Sequence, residues 1–210
     1  MKHKISHSLF TYWNEIRGLR VAPRRFEIEP SRIASILPDT FILDCSQSGS
    51  PRFRLAGTRM STLLGRDVRD SAFLDLFQPA DHNPLQNALQ STITQAGVAL
   101  LTTAPCSAAE PATPPHQQIE ILLLPLFHTQ NAVTRLLGCA VPLEPLMRSN
   151  PHAYLPQSLV GHETIWPDGR PHAVLQQMNR QSPFAPEHRG SRIVSADRRR
   201  FRVFDGGKTT

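Results

Sequence analysis

Arg52-Phe-Arg-Leu-Ala-Gly-Thr-Arg-Met-Ser-Thr-Leu-Leu-Gly-Arg-Asp67 carries the two periodicities from which the rest of the chain can be ordered. Phe53 and Leu55 alternate with Arg52 and Arg54, the period of two of a half-buried strand, and this puts Phe53 and Leu55 on one face. Gly57 ends the strand. Thr58 is the expected N-cap, because its hydroxyl can accept from a backbone N–H one turn on, and Met60, Leu63 and Leu64 then recur at helical spacing. Gly65 supplies a residue that tolerates positive φ just past the helix end. The stretch reads as strand, tight turn, short helix and stop. It holds no nucleophile, metal cluster or phosphate loop, so it suits the wall of a pocket better than a catalytic loop.

Upstream, Phe41–Cys45 is a strand, and Gln47–Pro51 is a turn-forming run that joins it to Arg52–Gly57 as a hairpin. Before that hairpin, Ser8–Leu19 places Leu9, Phe10, Trp13 and Ile16 on one side of an amphipathic helix. A second short helix is expected from Glu29 through Leu37, with Pro30 in its first turn and Pro38 beyond its end. Downstream, Phe73, Leu74 and Phe77 mark a short apolar helix. The clearest helix starts with Asn83 and Pro84, carries Leu85, Ala88, Leu89, Ile93 and Ala96 on one face, and stops at Gly97. Val98–Ala104, Gln118–Phe127 and Thr134–Leu143 are three further strands. The order β-β-α-α-α-β-β-β predicts an α+β fold: a five-stranded antiparallel sheet with helices on one face and the N-terminal amphipathic helix as a cap.

Composition limits what surrounds this unit. The chain has 210 residues and is 40% hydrophobic, enough for one domain of about 100–150 residues with flanking segments. The prolines, 19 in all, crowd into Pro105–Pro115 and the region after Pro142, which predicts an irregular, partly disordered extension. We therefore divide the chain into a helical cap (1–38), a domain (39–146) and a Pro-rich, basic extension (147–210). Of the formal net charge of +6, the last 30 residues carry six arginines and one lysine against three acidic residues. The basic balance thus belongs to the C-terminus and does not make the folded part a nucleic-acid binder.

Cys45, Cys106 and Cys139 are far apart and fit neither a zinc motif nor a haem-attachment motif. The N-terminus has no apolar signal region, and no run of about 18 apolar residues occurs, so a cytoplasmic setting is expected.

The element order, with one long helix crossing before a three-strand meander, resembles a PAS domain. Tyr12-Trp-Asn-Glu-Ile-Arg17, Pro23-Arg24, Ile33–Pro38, Phe53-Arg-Leu-Ala-Gly-Thr-Arg59 and Leu64-Gly-Arg66 are similar to a family of small single-PAS proteins common in alphaproteobacteria. The similarity covers roughly Ser8 to Leu146. It implies a sensory or protein-interaction module that holds a small ligand between sheet and helices or dimerises through the sheet's other face. The Asn-Cys-Arg-Phe motif of flavin photosensors is missing, and no histidine on the long helix suits haem, although His82 lies just before it. The cofactor is left unknown.

Alternation assigns Phe41, Leu43, Phe53, Leu55, Ile121 and Cys139 to the inward face. With Phe73, Phe77 and Leu89 from the helices, and Thr58 and Arg59 where the strand turns into helix, they form the candidate ligand pocket. A filled core is the competing reading. Arg59 would be the clamp for an anionic ligand. The other face carries Ile42, Leu122, Leu124 and Leu136, too apolar to leave wet. Leu9, Trp13 and Ile16 are its natural cover, on the same chain or on a partner's, and a homodimer built on this face is the expectation.

The nine histidines lie mostly in loops or in the extension and assemble no triad, so no enzyme is expected. Arg198, Arg199, Arg200 and Arg202 form the core of the basic tail. Their spacing is faintly similar to the cyclic-dinucleotide arm of PilZ domains, and they offer an alternative function in nonspecific nucleic-acid association. The reading reached from sequence is a regulatory protein with a signalling-protein partner, a small apolar or anionic ligand, and no effector domain.

Overall fold

Six strands, β1 (Thr40–Asp44), β2 (Arg52–Ala56), β3 (Val98–Pro105), β4 (Ile119–Phe127), β5 (Val133–Pro142) and β6 (Gln157–Ile165), form one antiparallel sheet in the order β2-β1-β5-β4-β3-β6. The structure, a computed structural model, describes residues 1–46, 49–106, 118–128, 132–144 and 156–172. All of these belong to one unit, Met1–Arg180, and the second unit, Gln181–Thr210, lies outside them.

Three helices flank the sheet. α1 (Lys4–Arg17) lies on one face, against β4 and β5. α2 (Thr58–Leu64) and α3 (His82–Gln95) follow the β1–β2 hairpin and cover the other face. Every residue of β4 is buried, because both of its faces are covered; this is why Ile119-Glu-Ile-Leu-Leu-Leu-Pro-Leu-Phe127 reads as a nearly continuous apolar run.

Strand pairing fixes which side chains share a face, since residues directly opposite each other point the same way. Cys139 pairs with Leu122 and Thr40, and its Sγ lies 3.7 Å from the Ser6 hydroxyl of α1. The α1 face therefore holds Thr40, Ile42, Glu120, Leu122, Leu124, Leu137, Cys139 and Val141. The α3 face holds Phe41, Leu43, Phe53, Ile119, Ile121, Leu123, Leu136, Gly138 and Ala140.

Local chemistry explains most of the boundaries. The His3 ring accepts from the Ile5 N–H and caps α1, and Arg17 occupies its last turn. Gly57, not Thr58, occupies the N-cap of α2, and Gly65 ends that helix at φ 68°. α3 begins one residue before Asn83. It ends on Ala96 at φ 53°, because Gly97 is needed elsewhere: a Cβ there would come within 2.8 Å of Thr164 and Trp166. The expected helix over 29–37 is instead two separate 3-10 turns, Pro30–Ile33 and Leu37–Asp39, the second containing Pro38.

The sheet has one strand more than the five expected. β6 pairs along the whole of β3 and comes from the segment assigned to the irregular extension. Gln157-Ser-Leu-Val-Gly-His-Glu-Thr-Ile165 shows no alternation because it is a half-exposed edge strand whose register shifts between Leu159 and Gly161.

Candidate functional site

The space between the sheet and α2–α3 is where most of the inward candidates converge, and their own side chains take it up. Phe41 and Phe53 meet edge to face at 5.3 Å, Phe53 and Phe73 lie 5.9 Å apart, and Phe73 and Phe77 lie 5.2 Å apart. These centroid spacings are those of attractive aromatic pairs. The Phe41 ring reaches over Gly138, where a Cβ would stand 2.3 Å from it. Leu43, Leu85, Leu89 and Ile121 complete the layer, all buried. Phe41, Leu43, Phe53, Phe73, Phe77, Leu89 and Ile121 are therefore brought together.

The other four pocket assignments change, and so does that of Leu136 on the cap face. Leu55 is not on this face: β2 bulges at Arg54, so Leu43 pairs with Phe53 while Ile42 pairs with Leu55. One extra residue turns Leu55 to the α1 face, where it is 53% exposed. Cys139 and Leu136 exchange faces, since the alternation assumed for β5 was one residue out of step with the register. Cys139 lies under α1, where burial pushes its thiol up to about 12. Leu136 faces α3 and does not belong to the cap face. Thr58 and Arg59 are exposed, and Arg59 donates to Asp39 at 2.8 Å, tying α2 to the turn before β1. Arg59 clamps a carboxylate of its own chain.

On the opposite face, α1 covers the sheet of its own chain. Leu9 and Trp13 are fully buried, Ile16 is half-buried, and Leu122 and Leu124 lie beneath. The Trp13 indole N–H donates to the Pro125 carbonyl at 2.9 Å. The apolar face read as a dimer surface is thus closed from within. Sequence reasoning missed two of the devices that hold α1 there. Buried Glu120 accepts from the backbone N–H groups of Lys2 (2.7 Å) and His3 (3.1 Å), just ahead of the helix. Buried Arg17 donates to both oxygens of Asp168, to the Asn14 side chain and to the Arg20 carbonyl, and stacks over Trp13. The Asp168 carboxyl is held below its usual range by Arg17 and then by His172. A carboxylate in a run of aliphatics was a legible oddity; Asp168, 151 residues from its partner, offered no signal.

The cap is incomplete at one end. Between the segment carrying the turns Arg25–Glu27, Pro30–Ile33 and Leu37–Asp39 and the β2–β1–β5 edge of the α1 face lies an apolar groove of about 200 Å³. Ile28, Ile33, Leu37, Ile42 and Leu137 line it, Leu55 stands at its rim, and Arg25 also borders it. A second, polar hollow of about 230 Å³ sits by Asp44, Arg52, Arg54 and Asp70. Asp44 there is already ion-paired with Arg135. No group of three or more potential metal ligands occurs among the described residues. No described helix is long and apolar enough to cross a membrane. Arg198, Arg199, Arg200 and Arg202 lie outside the described residues.

A structural search returns a LOV protein of Rhodobacter sphaeroides at 13% identity and a TM-score of 0.40, covering 59% of this chain and 71% of that one. A search of curated proteins returns no match. The PAS domain family model matches residues 1–141, a span that holds α1 and all but the last residue of β5, and the chain belongs to that family of sensory domains.

Proposed function

We propose that this protein is a cytoplasmic regulatory PAS module that signals through contacts with a protein partner and carries no chromophore in its core. The observation behind this reading is the occupancy of the α3 face. Phe41, Phe53, Phe73 and Phe77 pack ring to ring, with Leu43, Leu85 and Ile121 around them, so the described residues of this face fill the space that a haem or a flavin would need. The donor set agrees. Cys139 lies beneath α1 on the other face, Cys45 follows the end of β1, and the His82 ring nitrogen is engaged with the Phe77 carbonyl at 3.3 Å. No residue on the α3 face is placed as a thiol or imidazole ligand among those described. A sensory domain without a chromophore has its surface left to work with, which favours protein contacts over light or gas sensing.

The test is an absorption spectrum and a native mass spectrum of the purified full chain. The expected result is the polypeptide mass alone with no visible absorption. A bound haem or flavin, retained at stoichiometric occupancy, overturns the proposal.

A further inference from the structure

We infer that the groove on the α1 face is a binding site for a small amphiphilic carboxylate, with its acyl chain against Ile28, Ile33, Leu37, Ile42 and Leu137 and its charged end at Arg25. This rests on reading the chain as a sensory domain, and it moves ligand recognition from the filled α3 face to the opposite side of the sheet.

Charge carries the first part of the argument. An arginine at the edge of an apolar surface lays its stem against that surface and keeps its guanidinium accessible unless a carboxylate of its own chain takes it. Arg17, Arg20, Arg32, Arg59, Arg69 and Arg135 each have one. Arg25 is half-buried at the groove, and its guanidinium has no carboxylate partner among the described residues. The two nearby acids are not aimed at it: Glu27 is taken by Arg20 at 2.8 Å and by the Arg24 N–H, and Glu29 is exposed. An apolar wall with a free guanidinium beside it complements a ligand that is apolar along its length and anionic at one end.

Size carries the second part. A volume of about 200 Å³ is below that of most drug-sized pockets. At roughly 30 Å³ per water-sized group, it accommodates a chain of about six to eight carbons. The wall is also held in place by something other than a ligand. The Tyr12 hydroxyl donates to the Glu29 carbonyl and accepts from the Glu29 N–H, fixing the segment to α1. Leu55 stands half-exposed at the rim because of the β2 bulge, where it can close over a bound chain.

Titration of the full chain with sodium octanoate, followed by methyl NMR shifts and calorimetry, tests the assignment. Octanoate is expected to bind saturably and to shift the methyls of Ile33, Ile42, Leu55 and Leu137. Along the series from butyrate to octanoate, affinity should rise by up to about fourfold per methylene. R25Q should weaken octanoate about tenfold to a hundredfold while leaving 1-octanol unchanged. L55E, a change at an exposed position, should abolish octanoate binding by placing a like charge at the rim. Absence of saturable binding overturns the assignment, as does equal octanoate affinity in R25Q, or shifts confined to Leu89 and Ile121 on the α3 face. These results are independent of the chromophore test: a haem-loaded chain would sink the proposed function and leave the groove to be judged on octanoate alone.

Discussion

Arg17 shows how a single side chain joins distant parts of the sequence. Its guanidinium is nearly buried, and it is tolerable there because every direction it points in has an acceptor: Asn14, the Arg20 carbonyl and the Asp168 carboxylate. Breaking one partner of such a group costs more than the pair is worth in isolation. Asp168 is 39% exposed, however, so solvent screens the interaction, and D168N is expected to cost about 1 kcal/mol at neutral pH. The sign with pH follows from the lowered carboxyl. A depressed folded-state pKa gives stability that is fully present above the unfolded value of about 3.9 and is lost as pH falls through the lower folded value. Urea midpoints of wild type and D168N should therefore differ at pH 7 and converge below about pH 4. A gap that persists undiminished into acid would show that the pair contributes through packing and not through charge.

At the scale of elements, the joint between β2 and α2 is set by how closely two backbones approach. Gly57 accepts the end of the strand, caps the helix, and lies against the turn before β1: a Cβ there would sit 2.2 Å from the Pro38 carbonyl oxygen and 2.5 Å from that of Leu37. Its φ of −70° is ordinary, so space, not backbone freedom, demands glycine. Both obstructing atoms belong to the backbone and cannot swing aside. G57A should cost about 2–3 kcal/mol by displacing the Leu37–Asp39 turn, where overpacking in this range is expected. G65A, at φ 68°, should cost about 1 kcal/mol through the strain of a left-handed backbone. Thermal or urea unfolding of the two variants checks the order; a G57A chain as stable as wild type would mean that the two segments are not locked together. The same joint positions Arg59 on Asp39, which is why the residue that looked like a ligand clamp is a structural tie.

For the whole molecule, the consequential feature is the sixth strand. β6 closes the edge of β3 and is itself held by Asp81, whose carboxylate accepts from the Leu159 N–H at 2.8 Å, and by Gln78, which donates to Ser158. A chain ending after Glu144 loses this strand and bares the β3 edge, an exposed pairing template. It should unfold at lower urea with a smaller m-value, and it should self-associate. A chain ending after Arg180 keeps β6 and should match the full protein in both respects. Equal stability of the two truncations would show that β6 is an appendage to the sheet and not part of it.

Periodicity and punctuation in the sequence were enough to determine the order of the first five strands, the long helix α3 and the amphipathic α1, because these depend on neighbours three or four residues apart or on strict alternation. The resemblance carried by Tyr12–Arg17 and Phe53–Arg59 pointed to the family that the match over residues 1–141 shows. What only the tertiary structure decided was which way strands face and what lies across long separations. A bulge of one residue at Arg54 turned Leu55 outward, and a one-residue phase error in β5 exchanged Leu136 and Cys139. The β5 error leaves no mark in composition, because both faces of that strand are buried and apolar and alternation carries no contrast there, whereas the β2 bulge is hidden by a regular Arg-Phe-Arg-Leu alternation that an inserted residue does not disturb. Glu120 on the start of α1, Asp168 on its end and β6 on β3 are likewise contacts between segments far apart in the chain, and the partner of each is chosen by the fold rather than by its neighbours in sequence.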